Sequence, residues 1–202
     1  MTERSGWMRI VDEDPEHSAR YIQRFRTMAD DGFDLGGEAR MIDAMVARNA
    51  RILDAGCGPG RTGAVLHAAG HTVVGVDVDP ELIAAAELDH PGPTWLVQDL
   101  AELDLPAVGV VDPFDVIVSA GNVMAFLAPS TRVTVLERLG AHLAATGRLV
   151  VGFGAGRDYD FEAFFADVDA AGLAVEVRLS TWDLRPFTPE SDFLVAVLSL
   201  TG

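Results

Sequence analysis

The sequence predicts an α/β fold: a single doubly wound, mostly parallel sheet of seven strands with a C-terminal antiparallel strand, helices on both faces and an N-terminal helical cover. Three observations carry this. Short aliphatic and β-branched runs alternate with segments of helical periodicity between Arg51 and Ala171. The run Ile52-Leu53-Asp54-Ala55 passes through Gly56, Gly58 and Gly60 straight into a helix-compatible segment. The chain then ends in two β-rich runs joined by a Pro-containing turn, instead of in another strand–helix unit.

In chain order, Tyr21, Ile22, Phe25, Met28 and Ala29 fall at helical spacing between Pro15 and Gly32, so residues 15–30 are expected as an amphipathic helix. Trp7 precedes it, either as a lid or as a loose terminus. A second helix is expected from Gly37 to about Asn49, with Met41, Ile42, Met45 and Val46 on one face. Strand Arg51–Ala55 follows, then the glycine turn and a helix from Thr62 to Ala69. His71–Asp77 reads as a strand, Glu81–Asp89 as a helix behind a cap at Asp79 and Pro80, and Thr94–Gln98 as the third strand. Phe114–Val118 is a short buried strand. Residues 131–145 place Val133, Leu136, Leu139 and Leu143 on one helical face, with Gly147 as the expected helix stop. Arg148–Phe153, a helix from Phe161 to Ala171, and the β-rich runs Ala174–Arg185 and Asp192–Leu200 complete the pattern. No internal repeat or linker divides it, so residues 1–202 are expected to form one domain, with 1–36 as helical cover and 37–202 as the core.

The stretch Asp54-x-Gly56-x-Gly58-x-Gly60 is the centre of this arrangement. Glycines at alternate positions let the chain turn sharply and let an extended ligand lie against bare backbone. An acid at the end of the second strand is where an α/β nucleotide site bonds ribose hydroxyls, and Asp77 stands 21 positions after Gly56. The motif resembles motif I of class I S-adenosylmethionine (SAM)-dependent methyltransferases. That resemblance runs from residue 37 to 202 and implies a compact enzyme moving a methyl group from SAM to a small-molecule acceptor. It implies cofactor contacts from Asp54, Ala55, Gly56, Cys57, Gly58 and Gly60, from Asp77 and Val78, and from Asp99 and Leu100 at the adenine. Ala120, Gly121 and Asn122, after the fourth strand, would lie beside the methionine part. The terminal antiparallel pair after five strand–helix units agrees with the sheet of that family.

Two other readings remain open on the residues alone. Gly58-Pro59-Gly60-Arg61-Thr62-Gly63 also matches G-x-G-x-x-G, the fingerprint of a nicotinamide-dependent oxidoreductase, although counting from Gly56 places bulky Arg61 where a small residue should pack. A SAM- or S-adenosylhomocysteine-binding protein without catalysis would use the same acids.

Composition narrows the partners. A net charge of −16 opposes binding to nucleic acid. No window is apolar enough for a membrane span, and the polar N-terminal residues do not read as a signal peptide, so a cytoplasmic protein, monomer or homodimer, is expected. The one cysteine, Cys57, excludes an intrachain disulfide, and the five scattered His suggest no metal site. All fifteen basic residues are Arg, which removes a Walker A lysine and a lysine Schiff base from consideration. If the acceptor must lose a proton, His17, Tyr21 or Tyr159 is the candidate base. Trp182, Asp183 and Arg185, near the end of the sixth expected strand, are candidate substrate contacts with Arg157.

Overall fold

The computed structural model describes residues 2–202. Its strands are β1 (Arg51–Ala55), β2 (Thr72–Asp77), β3 (Thr94–Val97), β4 (Phe114–Ser119), β5 (Leu143–Gly154), β6 (Leu173–Leu179) and β7 (Phe193–Leu200). They form one sheet in the order β3-β2-β1-β4-β5-β7-β6. The pairs β1–β2, β1–β4, β2–β3 and β4–β5 are parallel, and β7 runs antiparallel to both β5 and β6. Strand order reverses between β1 and β4. At such a switch point the connections leave in opposite directions and open a crevice beyond the carboxyl ends of the strands.

Helices cover both faces because the central strands are apolar on both sides. Along β1, Ile52 and Leu53 alternate: Leu53 joins Ile117, Leu149 and Val151 under α7 (Arg132–Ala141) and α8 (Phe161–Ala170). Ile52 joins Val116, Val118 and Val150 under α3 (Gly37–Met45) and α4 (Arg61–Ala68), where Ile42 and Leu66 are fully buried. The remaining helices are α1 (Gly6–Glu13), α2 (His17–Asp30), α5 (Pro80–Asp89) and the single turn α6 (Val123–Phe126).

Three expectations are corrected. First, Gly147 is not a helix stop. α7 ends at Ala141, and Leu143 pairs with Phe114 at the start of a long β5 whose register shifts before Arg148 pairs with Val116. A Cβ on Gly147 would stand 2.7 Å from the Phe114 carbonyl oxygen, so glycine serves the close approach of two backbones at this bulge. Second, β6 stops at Leu179, where Ser180 N–H donates to the Arg185 carbonyl (2.8 Å) and Leu184 turns at φ 71°. Third, Trp7 lies neither in a loose terminus nor before the first helix, but within α1, whose cap Ser5 accepts from Met8 N–H at 3.2 Å.

Candidate active site

The glycine turn folds around one indole. Trp95 on β3 slides beneath the loop, and a Cβ on Gly60 or Gly63 would stand 2.9 or 2.8 Å from its ring. Gly60, at φ 84°, also needs a left-handed backbone that other residues resist. Gly63 is therefore small because Trp95 fills the space beside it. This accounts for the apparent G-x-G-x-x-G match through core packing, with no dinucleotide required.

Two buried carboxylates hold the loop. Asp54, 2% exposed, accepts from Gly63 N–H at 2.8 Å, tying the end of β1 to the first turn of α4. Burial pushes its pKa up to about 7, against the opposing pull of that hydrogen bond. Asp77, at the end of β2, accepts from Gly58 N–H (2.9 Å) through Oδ2 and from Asp79 N–H (3.0 Å) through Oδ1. Burial again dominates and raises it to about 6. Each Asp77 oxygen has a second lone pair and the residue faces the cleft, so it retains acceptor capacity for a hydroxylated ligand. Burial also drives the Cys57 thiol upward, which leaves it a poor nucleophile.

These elements line a cleft at the carboxyl edge enclosing a cavity of about 120 Å³. A single water needs about 10–15 Å³ on this measure, so the space suits an extended ligand of many atoms. Asp54, Gly56, Cys57, Gly58, Asp77, Val78, Asp99, Leu100, Ala120 and Gly121 all border it. Asp99 caps the turn after β3 by accepting from Ala101 N–H (2.9 Å). A Cβ on Gly58 would meet only Tyr21, at 3.7 Å, and one on Gly121 would meet nothing within 4 Å. The backbone there is bare toward the cleft, and with the free Asp77 lone pairs it forms a cradle fitted to an adenosyl ligand.

Of the other expected cofactor contacts, Ala55 is buried in β1, Gly60 packs on Trp95, and neither borders the cleft. Asn122 does not border it either. Its side-chain oxygen accepts from Gly154 N–H (2.8 Å), clamping the end of β4 to β5, while its backbone turns at φ 68°.

The roof comes from the N-terminal cover. Ser5, Trp7, Tyr21 and Phe25 border the cleft from α1 and α2, and Phe126 faces them from α6. Trp7 meets Tyr21 and Phe126 edge-on, at centroid distances of 5.1 and 5.8 Å. Burial raises the Tyr21 phenol above its usual range. Arg61, at the start of α4, also borders the cleft, but its charge is spoken for. It forks onto Glu38 at 2.8 and 2.6 Å, donates to the Leu35 carbonyl, and lies over the Phe25 ring.

The other candidate catalytic and substrate residues are elsewhere. Tyr159 is corrected outright as a base. It is 0% exposed, stacked on Phe153 at 5.6 Å, donates to Asp167 at 2.6 Å, and is pushed upward first by burial and then by that carboxylate. His17 stands behind Trp7, ring edge-on at 5.0 Å, outside the cleft. Trp182 packs over Gly152, with Leu179 and Phe193 in the same cluster, on the face of the sheet that α3 covers. Arg185 faces Asp183 on the exposed turn at 3.6 Å, and Arg157 is exposed on the β5–α8 loop. None of these residues borders the cleft. Phe25, Arg61 and Phe126 also border the cleft; at helical spacing Phe25 reads as core, Arg61 as a misfit in the glycine motif, and nothing local marks Phe126.

A family model described as a methyltransferase domain matches residues 52–147, from β1 to the bulge of β5. The crystal structure of a TehB-like SAM-dependent methyltransferase from Corynebacterium glutamicum is 48% identical, with a TM-score of 0.87 over 93% of this chain and 100% of that one. The chain belongs to the class I SAM-dependent methyltransferases, and SAM is its methyl donor. Two more distant structures share the fold. A SAM-dependent methyltransferase from Clostridium acetobutylicum has 12% identity and a TM-score of 0.77, covering 91% of this chain and 99% of that one. The 1,6-didemethyltoxoflavin-N1-methyltransferase of Burkholderia thailandensis has 22% identity and a TM-score of 0.64, covering 93% of this chain and 90% of that one. No curated protein matches the sequence. Among the described residues, no helix is long and apolar enough to cross a membrane.

Proposed function

We propose that this methyltransferase acts on a small-molecule acceptor that meets the methyl group beneath the N-terminal cover. The observation that supports this most strongly is the roof itself. Ser5, Trp7, Tyr21 and Phe25 wall the cleft from within the chain, which leaves a macromolecular acceptor little surface to dock on. The net charge of −16 acts in the same direction against nucleic acid. The fold relative from Burkholderia thailandensis is a 1,6-didemethyltoxoflavin-N1-methyltransferase, in keeping with such an acceptor. On this reading residues 1–36 are the cover and 37–202 the catalytic core of one domain, working in the cytoplasm as a monomer or homodimer.

In the proposed site Asp77 accepts the ribose hydroxyls, Asp99 and Leu100 hold the adenine, and the bare backbone at Gly58 and Gly121, with Gly56 packed on Val123 beside them, takes the methionine part. SAM supplies an already activated methyl on its sulfonium, so the protein has to align, desolvate and exclude water. Trp7, Phe25 and Phe126 supply the dry wall. Tyr21 is the cleft-facing phenol on that wall and is assigned to orient the acceptor. Its raised pKa makes it a hydrogen-bond donor at neutral pH and a poor base.

The test is turnover of a panel of nitrogen, oxygen and sulfur nucleophiles by the wild type and Tyr21→Phe, followed as S-adenosylhomocysteine release, with SAM affinity measured separately. Tyr21→Phe should lower kcat/KM about tenfold while SAM affinity stays within about twofold. Unchanged turnover would remove Tyr21 from the site. SAM binding without transfer to any acceptor would favour a non-catalytic binder.

A further inference from the structure

Residues 2–14 form a strap across the mouth of the cleft, pinned to three successive loops of the sheet. Thr2 donates to Glu102 after β3 at 2.6 Å, Ser130 after β4 donates to Glu3 at 2.6 Å, and Trp7 Nε1 donates to Asp79 after β2 at 2.9 Å. The first two anchors are exposed and worth little in water. The third differs in kind. Asp79 is 3% exposed, and its Oδ2 takes both the Trp7 indole N–H and the Ser18 hydroxyl at 2.5 Å, while Oδ1 caps α5 by accepting from Glu81 N–H at 2.9 Å. Its own N–H donates to Asp77. One buried carboxylate thus fastens α1, α2 and α5 together, one residue beyond the cleft wall at Val78. Charge-assisted bonds in such a setting are about twice as strong as neutral ones.

We propose that Asp79 is a positioning residue that latches the N-terminal strap over the cofactor cleft, so that SAM loads and S-adenosylhomocysteine leaves only when the Trp7–Asp79 bond opens. The inference rests on the reading of this cleft as the adenosyl site. The Trp7–Asp79 bond is made within the protein, so weakening it raises the open fraction of the free and of the bound protein by the same factor. Association and dissociation then scale together with the open fraction, and the equilibrium affinity hardly moves. A residue that touches the ligand behaves otherwise, since its loss speeds dissociation alone.

The experiment is surface plasmon resonance of S-adenosylhomocysteine on the immobilised full chain, comparing wild type with Trp7→Phe, Asp79→Asn and Ser18→Ala. Trp7→Phe deletes the N–H and keeps the ring against Tyr21 and Phe126; Asp79→Asn keeps a helix-capping residue and puts an amide against two donors. Both rate constants should rise about tenfold in Asp79→Asn and less in Ser18→Ala, with Kd within about threefold of wild type; Trp7→Phe, whose ring walls the cleft, is read only for faster association. Unchanged rates, or faster dissociation with Kd weakened in proportion, would overturn the latch. Should Asp79→Asn fail to fold, Ser18→Ala decides, through a parallel rise of both rate constants at unchanged Kd. Failure of the underlying cleft reading has a separate signature: Asp77→Ala would bind S-adenosylhomocysteine like the wild type, and the latch would fall with it.

Discussion

Replacing Asp77 with alanine removes a charge that does two jobs with opposite energetic signs. In the free protein its two oxygens accept from Gly58 and Asp79 N–H, bonds to a charged acceptor worth about 1.5–3 kcal/mol each. Burial outweighs these bonds and raises the pKa from 3.8 to about 6, so the ionised form carries a net cost of about 3 kcal/mol in the folded protein at neutral pH. Alanine removes that net cost and leaves two N–H groups unpaired at about 1–3 kcal/mol each, so the free variant should lose no more than about 3 kcal/mol of stability and remain folded. Affinity has no such compensation. Deleting the acceptor of the ribose hydroxyls should cost about 1.5–3 kcal/mol, a weakening of roughly ten- to 150-fold for SAM. Calorimetric titration, with urea unfolding of the same preparation, separates the two. A folded Asp77→Ala protein with wild-type SAM affinity would refute the ribose assignment.

Three further outcomes follow from the same electrostatics and packing. Because Asp77 titrates near 6 and binding uses its charged form, SAM affinity should fall as pH drops from about 7 to 5, with proton release on binding near pH 6; a flat profile in calorimetry would contradict it. For stability the sign is reversed. Asp54 and Asp77 hold protons in the folded state up to about 7 and about 6, well above the unfolded value of about 3.9. The folded chain thus binds more protons between about pH 4 and 7, and these two residues make the ligand-free protein less stable as pH rises through that window. Tyr159→Phe should cost about 1 kcal/mol of stability through the lost bond to Asp167 and leave SAM affinity and turnover unchanged, as urea unfolding and steady-state kinetics would show. A fall in turnover would return Tyr159 to the site.

Much of this was legible in the sequence because spacing carries it. A strand, alternate glycines and an acid at each of three strand ends are local patterns, and Asp54, Asp77 and Asp99 do come together at one edge. What escaped depends on contacts between distant residues. Trp7 and Asp79 are 72 positions apart, and α1 is short and half polar, so nothing local announces a strap. Gly63 completes a second fingerprint in the sequence, and only the fold puts Trp95 beside it. Thr146-Gly147 imitates a helix stop, yet the β4 backbone opposite draws the segment into the sheet. Tyr159 sits in a polar stretch, GAGRDYD, and only the tertiary fold turns it inward between Phe153 and Phe164. Side-chain direction in loops, as for Asn122, is likewise not written in spacing.

The most direct test of the central claim is a crystal structure of the chain with S-adenosylhomocysteine. The account predicts the ligand in the carboxyl-edge cleft, with its ribose hydroxyls on Asp77, its adenine beside Asp99 and Leu100, and Trp7 closed above it. A ligand bound elsewhere, or one in the cleft with Asp77 bonded only to Gly58 and Asp79, would contradict it.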